Sequence, residues 1–354
     1  MKLTTALSLS LSLTAHATDL SVQAGYHVIY SYPGTTPPTE LTTLIKQGLV
    51  GGVLLFGDNV DDNLASTIAD WQSTYKASAA YAGSPLLIMT DQEGGQVRRI
   101  PGGPTSSEKE IGESKNPEEA ASTAGSQAAK ALGAYNMNAN LAPVLDVFRT
   151  PGDFDDQYER SYSDNATLAG ICGAAYITAQ QSAGYIATAK HFPGLGSASS
   201  SENTDEVPVT LNATIDEIRA IDEVPYTSAI AAGLDMIMPS WALYPDFDPD
   251  YPAGLSQKWL QEELRGRLGF KGVTISDAIE AGGLNAFGED TNRAVLASAA
   301  GMDIILAAGK NVTQGQAIVG ALADALTAGS LTQSQWDAST QRILSLREKL
   351  ASSD

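Results

Sequence analysis

The chain has 354 residues, 21 of them basic and 41 acidic, for a formal charge of −20. That surplus argues against nucleic acid and anionic membrane as partners, because both repel it. With 43% hydrophobic residues there is material for one large core, and the length is ordinary for a single β/α barrel with extended loops.

Met1 to Ala17 combines Lys2, a Leu/Ala/Ser-rich run and Ala15-His16-Ala17. This is the pattern of a secretory signal with an A-x-A cleavage site, so residues 1–17 are expected to be removed, leaving a secreted chain that starts at Thr18. The run is too short and too rich in Ser and Thr to span a bilayer. Cys172 is the single cysteine, which excludes an intrachain disulfide. Sequons at Asn165, Asn212 and Asn311 are acceptors for glycans in a eukaryotic secretory route.

From there, short apolar runs alternate with helix-period segments. The predicted strands are His27 to Tyr32, Gly51 to Phe56, Pro85 to Thr90, Asn140 to Leu145, Ile186 to Ala189, Leu234 to Met238, Gly272 to Asp277, and Asp303 to Ala307. Between and after them come predicted helices at Glu40 to Leu49, Asn63 to Ala77, Pro117 to Gly133, Ala166 to Ala183, Ile215 to Ala232, Gln257 to Gly269 and Arg293 to Ala300, with two more near Ala317 to Ala328 and Gln335 to Leu350. Eight strand-helix units without a break in composition predict an α/β fold, a single-domain (β/α)8 TIM-type barrel over residues 18–354. A doubly wound open sheet has the same alternation, and the count of eight favours closure.

Metal chemistry has little to stand on. The histidines are His16, His27 and His191, and loss of His16 with the leader leaves too few for a His-rich site. Asp153, Asp155 and Asp156 cluster, but without the spacing and terminal Glu of an EF-hand loop, so they read as a solvated surface turn. No metal or cofactor is expected.

On a closed barrel, Asp91, Asp146, Lys190, His191, Ser240 and Asp277 all fall at C-terminal strand ends, the face where barrel enzymes keep their chemistry. Ser276 and Asp277 have an alternative use as caps for the segment that follows. A Gly-x-Ser-x-Gly elbow is absent, as is a phosphate-binding Gly-rich loop. What remains is a set of carboxylates with Lys, Arg and His, suited to gripping sugar hydroxyls and attacking an acetal carbon.

Five stretches carry a resemblance: Asp91-Gln92-Glu93-Gly94-Gly95-Gln96-Val97-Arg98-Arg99, Ala142-Pro143-Val144-Leu145-Asp146-Val147, Arg160-Ser161-Tyr162, Lys190-His191-Phe192-Pro193-Gly194 and Ile275-Ser276-Asp277. In order, they resemble the motifs of glycoside hydrolase family 3, closest to its single-barrel β-N-acetylglucosaminidases. The resemblance implies a retaining mechanism with Asp277 as nucleophile. It also implies that Asp91, Arg99, Arg160, Lys190 and His191 hold the terminal sugar of a carbohydrate substrate.

The sequence departs from the family at the proton donor. Single-barrel members resemble one another in an Asp-Ser-His triplet after Lys-His-Phe-Pro-Gly, whereas here the loop Leu195 to Pro208 has no histidine. Two-domain members take the acid from a second domain, for which this length leaves no room. A loop carboxylic acid, Glu202 or Asp205, is the natural replacement if burial keeps it protonated. The expectation is an exo-glycosidase for terminal β-linked sugars, N-acetylglucosamine by resemblance. The alternatives are a β-glucosidase of the same mechanism and a sugar-binding barrel that has lost its acid.

Overall fold

The computed structural model describes residues 20–351; the leader expected at residues 1–17 lies outside them. Eight parallel strands close into a barrel: β1 (Val28–Tyr30), β2 (Gly52–Leu54), β3 (Leu87–Thr90), β4 (Ala139–Asn140), β5 (Ile186–Phe192), β6 (Met236–Pro239), β7 (Val273–Ala278) and β8 (Ile304–Leu306). Each strand pairs with its sequence neighbours, and β8 closes on β1 through Val28 opposite Ile305. The open-sheet alternative is thereby excluded.

Period-two alternation divides two cores. Ile29, Leu54, Leu87, Met89, Met236, Met238, Val273, Ile275, Ile304 and Leu306 fill the barrel. Their sequence neighbours Val28, Tyr30, Val53, Ile88, Ile237 and Ile305 pack outward under the helices. Both faces of each strand are buried, which is why the strands read as continuous apolar runs. Gly52 is required by space: a Cβ there would stand 2.1 Å from the Leu87 carbonyl oxygen.

The C-terminal helix Gln333–Ala351 closes the N-terminal end of the barrel by inserting Ile343, Leu346 and Leu350 into the inner core. His27 belongs to this seal. Its ring stacks on Trp336 with centroids 3.8 Å apart, and its Nε2 bonds Thr340 at 2.8 Å.

Three elements differ from expectation. The fourth strand pairs regularly only at Ala139 and Asn140, with one isolated bridge further on from Val144 to Lys190, because Pro143 has no N–H and the Val144 N–H donates to Glu108. The helix predicted over Ile215 to Ala232 is two helices, Ile215–Ala220 and Glu223–Ala231. Pro225 would clash with the carbonyl of Ile221, so the break falls there. The Asp91-Gln92-Glu93-Gly94-Gly95 stretch turns back as a short hairpin, Gln92–Gly94 with Val97–Arg98. Gly94 and Gly95, at φ 132° and 51°, supply left-handed backbone at its turn.

Candidate active site

A cavity of about 310 Å³ opens at the C-terminal ends of the strands. Leu54, Leu141, Met238 and Leu306 form its apolar floor. Asp91, Arg99, Arg160, Lys190, His191, Asp205 and Asp277 all line it, so seven of the eight site residues named from the sequence meet in one place. Glu202 does not. Its carboxylate accepts the Ser199 N–H at 2.7 Å and it lines a separate outer depression with Arg149, Ser197 and Glu217. Of the two loop acids, only Asp205 reaches the cavity.

The cations lining the cavity are held by anions. Lys190 Nζ, at the end of β5, lies 2.7 Å from Asp91 and 2.7 Å from Glu93. Arg160 grips Glu93 with two N–H groups, at 2.8 and 3.0 Å, and reaches Asp155 at 2.6 Å with a third. Burial would raise the Glu93 carboxyl, but the charges of Arg160 and Lys190 overcome it and hold the group far below the usual carboxylate range. Burial likewise opposes the Lys190 charge, and Asp91 and Glu93 more than restore it.

His191 Nδ1 pairs with Asp146 at 2.7 Å, and Asp146 also accepts the Leu195 N–H at 2.6 Å. Burial works against the imidazolium, yet Asp146 raises the His191 pKa above its ordinary value. Asp155 sits behind this pair, its carboxyl pushed up to about 7 by burial against the pull of Arg160. Its Oδ2 is buried without a hydrogen-bond partner.

The turn containing Asp155 and Asp156 corrects the sequence reading of a solvated surface loop. Both carboxylates are buried, one on Arg160 and the other on Lys109. Asp146, Asp155 and His191 are also the described residues whose ligand atoms lie within 4.8 Å of one another, the spacing a metal would need. The His191–Asp146 hydrogen bond and the Arg160–Asp155 pair already engage them.

Asp277, at the end of β7, is half-buried and accepts its neighbour Ala278's N–H at 2.7 Å. It caps no helix, since the next α-helix begins at Asp290 with Glu289 before it. Among the described residues no cation pairs with Asp277 or with Asp205. The charge of Asp277, with burial second, pushes the Asp205 carboxyl up to about 6. Arg99 is exposed at the rim and has no ion pair among the described residues.

Two strand-end residues serve elsewhere. Ser240 is buried and bonds the Tyr244 hydroxyl at 2.9 Å, outside the cavity lining. Asp146 orients His191 without lining the cavity. Sequence reasoning missed Glu93 and Glu108 as buried partners. Glu93 had a signal: it stands two residues from Asp91, so an extended chain turns both to one side. Glu108, the first residue of the short helix Glu108–Gly112, accepts the Val144 N–H, and burial with Glu93's charge raises its carboxyl well above the ordinary value.

Known proteins share this arrangement. Residues 19–346 match the family described as "Glycosyl hydrolase family 3 N terminal domain". A secreted glycosyl hydrolase of Arthroderma benhamiae is 53% identical over 337 residues, covering 95% of this chain and 96% of the relative. A beta-hexosaminidase of Tolumonas auensis is 37% identical, over 76% of this chain and 78% of its own. Among solved structures, a family 3 beta-N-acetylglucosaminidase from Paenibacillus superposes with a TM-score of 0.87 at 30% identity, covering 99% of this chain, which spans 64% of that one. A beta-N-acetylhexosaminidase from Beutenbergia cavernae gives 0.82 at 28% identity, over 93% of this chain and 98% of that one. The motifs, the closed barrel and the match over nearly the whole length lead to one conclusion: the chain belongs to glycoside hydrolase family 3 and is a glycosyl hydrolase.

Proposed function

We propose that this hydrolase is a retaining exo-enzyme that removes terminal β-linked N-acetylglucosamine, with Asp277 as nucleophile and Asp205 as general acid/base. The observation that carries the reading is the pair itself: two carboxyl groups line one cavity, and the charge of one is the largest influence keeping the other protonated. In the first step Asp277 attacks the anomeric carbon while Asp205 gives its proton to the departing oxygen. Glycosylation neutralises Asp277. The influence that held the Asp205 proton is then gone, so its carboxyl falls back toward the ordinary range and can take a proton from the incoming water.

Asp91, Arg99, Arg160, Lys190 and His191 bind the terminal sugar in this scheme. Anions already fix Arg160, Lys190 and His191, so little ordering remains to be done when substrate arrives. The 2-acetamido preference is supported by the beta-hexosaminidase and beta-N-acetylglucosaminidase relatives. Export is proposed on the leader pattern and on the secreted relative. No helix among the described residues is long and apolar enough to cross a membrane.

The test is turnover of nitrophenyl N-acetyl-β-glucosaminide against the β-glucoside, with product anomers followed by NMR. Release of the β-anomer first, with the N-acetylglucosaminide preferred, supports the proposal. Initial α-anomer overturns retention, and a preference for the glucoside overturns the sugar assignment.

A further inference from the structure

Asp205 raises a problem of placement: its carboxyl makes no hydrogen bond or ion pair among the described residues, and the residue lies on an exposed loop. Side-chain partners do not fix it, so its backbone must. That backbone is held from the loop after β7, the loop that begins at the Asp277 carboxylate. The Gly282 N–H donates to the Asp205 carbonyl at 2.7 Å and the Gly283 N–H donates to the Thr204 carbonyl at 2.9 Å.

The approach is too close for any side chain. A Cβ on Gly282 would stand 2.1 Å from the Glu206 carbonyl oxygen and 2.4 Å from its carbon, and one on Gly283 would stand 2.8 Å from the Thr204 oxygen. Neither glycine has a left-handed φ, so the requirement is for space and not for conformation. Buried Trp241 braces the junction. Its Cβ lies 3.5 Å from where a Gly283 Cβ would be, and its Nε1–H donates to the Ala278 carbonyl at 2.9 Å, next to Asp277. On the other flank the Phe154 N–H donates to Ala198 at 2.8 Å and the Gln157 amide to Ser200 at 2.8 Å.

We propose that Gly282 and Gly283 are positioning residues for proton transfer: they clasp the Asp205 loop to the Asp277 loop and set the separation between the two carboxyl groups. The proposal rests on the assignment of Asp205 as acid/base. In Gly282→Ala the obstructing atoms belong to the backbone, so the Asp205 loop must move away while Asp277 stays on its strand.

The experiment compares Gly282→Ala, Gly283→Ala and Asp205→Asn on a nitrophenyl glycoside, whose leaving group needs little acid, and on a disaccharide, which needs a full proton. Gly320→Ala is the control, because an added Cβ there meets nothing within 4 Å. Gly282→Ala should lose about 10²-fold in kcat on the disaccharide and under about 5-fold on the nitrophenyl substrate, the selectivity of a displaced acid. Its alkaline pH limb should also move to lower pH, since distance from Asp277 weakens the charge that keeps Asp205 protonated. Gly283→Ala should show the same pattern more mildly and serves if Gly282→Ala does not fold. Equal losses on both substrates, or none on either, overturn the clasp. If Asp205→Asn shows the leaving-group selectivity and neither glycine variant does, only the clasp fails; if Asp205→Asn shows none, the acid assignment fails and the clasp with it.

Discussion

The two halves of the site are built on opposite electrostatic plans. In the grip half, Arg160, Lys190 and His191 each contact a buried anion of opposite sign, and the anions are shared so that few charges are left unpaired. In the other half, Asp277 and Asp205 line the same cavity with no ion-paired cation among the described residues, and the charge of Asp277 is the largest influence raising Asp205. Paired charges are rigid and inert; like charges at close quarters exchange protons readily. On the proposed reading, stability lies where substrate would be held and like charge lies where bonds would change.

Removing the reacting carboxylate tests that contrast hardest. Asp277→Ala should lower kcat by at least about 10³-fold on every substrate while leaving the fold intact, because no ion pair depends on it. Steady-state kinetics with a thermal melt read both. On the cation side the outcome should reverse: Glu93→Ala takes one of two anionic partners from each of Lys190 and Arg160 and should cost about 3–5 kcal/mol of stability, measured by denaturant unfolding. A loss below about 1 kcal/mol would mean that the network is not what fixes the cations. Asp205→Asn is expected to be intermediate, about 10²-fold on a disaccharide and small on a nitrophenyl glycoside.

The smallest effect concerns pH. Asp155 has a folded pKa raised to about 7, so it binds a proton more tightly folded than unfolded. Its contribution to stability is complete below the usual carboxylate pKa of about 4 and is lost as pH rises through 7. Asp155→Asn should flatten the melting temperature over that window by its share. Asp205 and Asp222, raised to about 6 and about 7, slope the same way and will leave a residue of the trend. An unchanged profile would show that Asp155 is already ionised in the folded protein.

The barrel was legible because its signals are periodic. Strand ends recur in order, and a carboxylate closing an apolar run such as Val273-Thr274-Ile275-Ser276-Asp277 stands out against its neighbours. The choice between Glu202 and Asp205 was not legible. Both are acids on one loop, three residues apart, and what separates them is a backbone path set by Gly282, some eighty residues on. Asp155 was hidden for a related reason: its burial comes from Arg160 folding back over a turn whose own composition is that of a surface loop. Local pattern reports what a segment prefers; burial of charge is decided by what packs on it.

The most direct measurement is to trap the intermediate with a slow-releasing fluorinated β-N-acetylglucosaminyl substrate and map the labelled peptide. One sugar per chain, attached to the Asp277 carboxylate, is expected. A label on another residue, or a slowly turned-over substrate that leaves no covalent adduct at all, would contradict it.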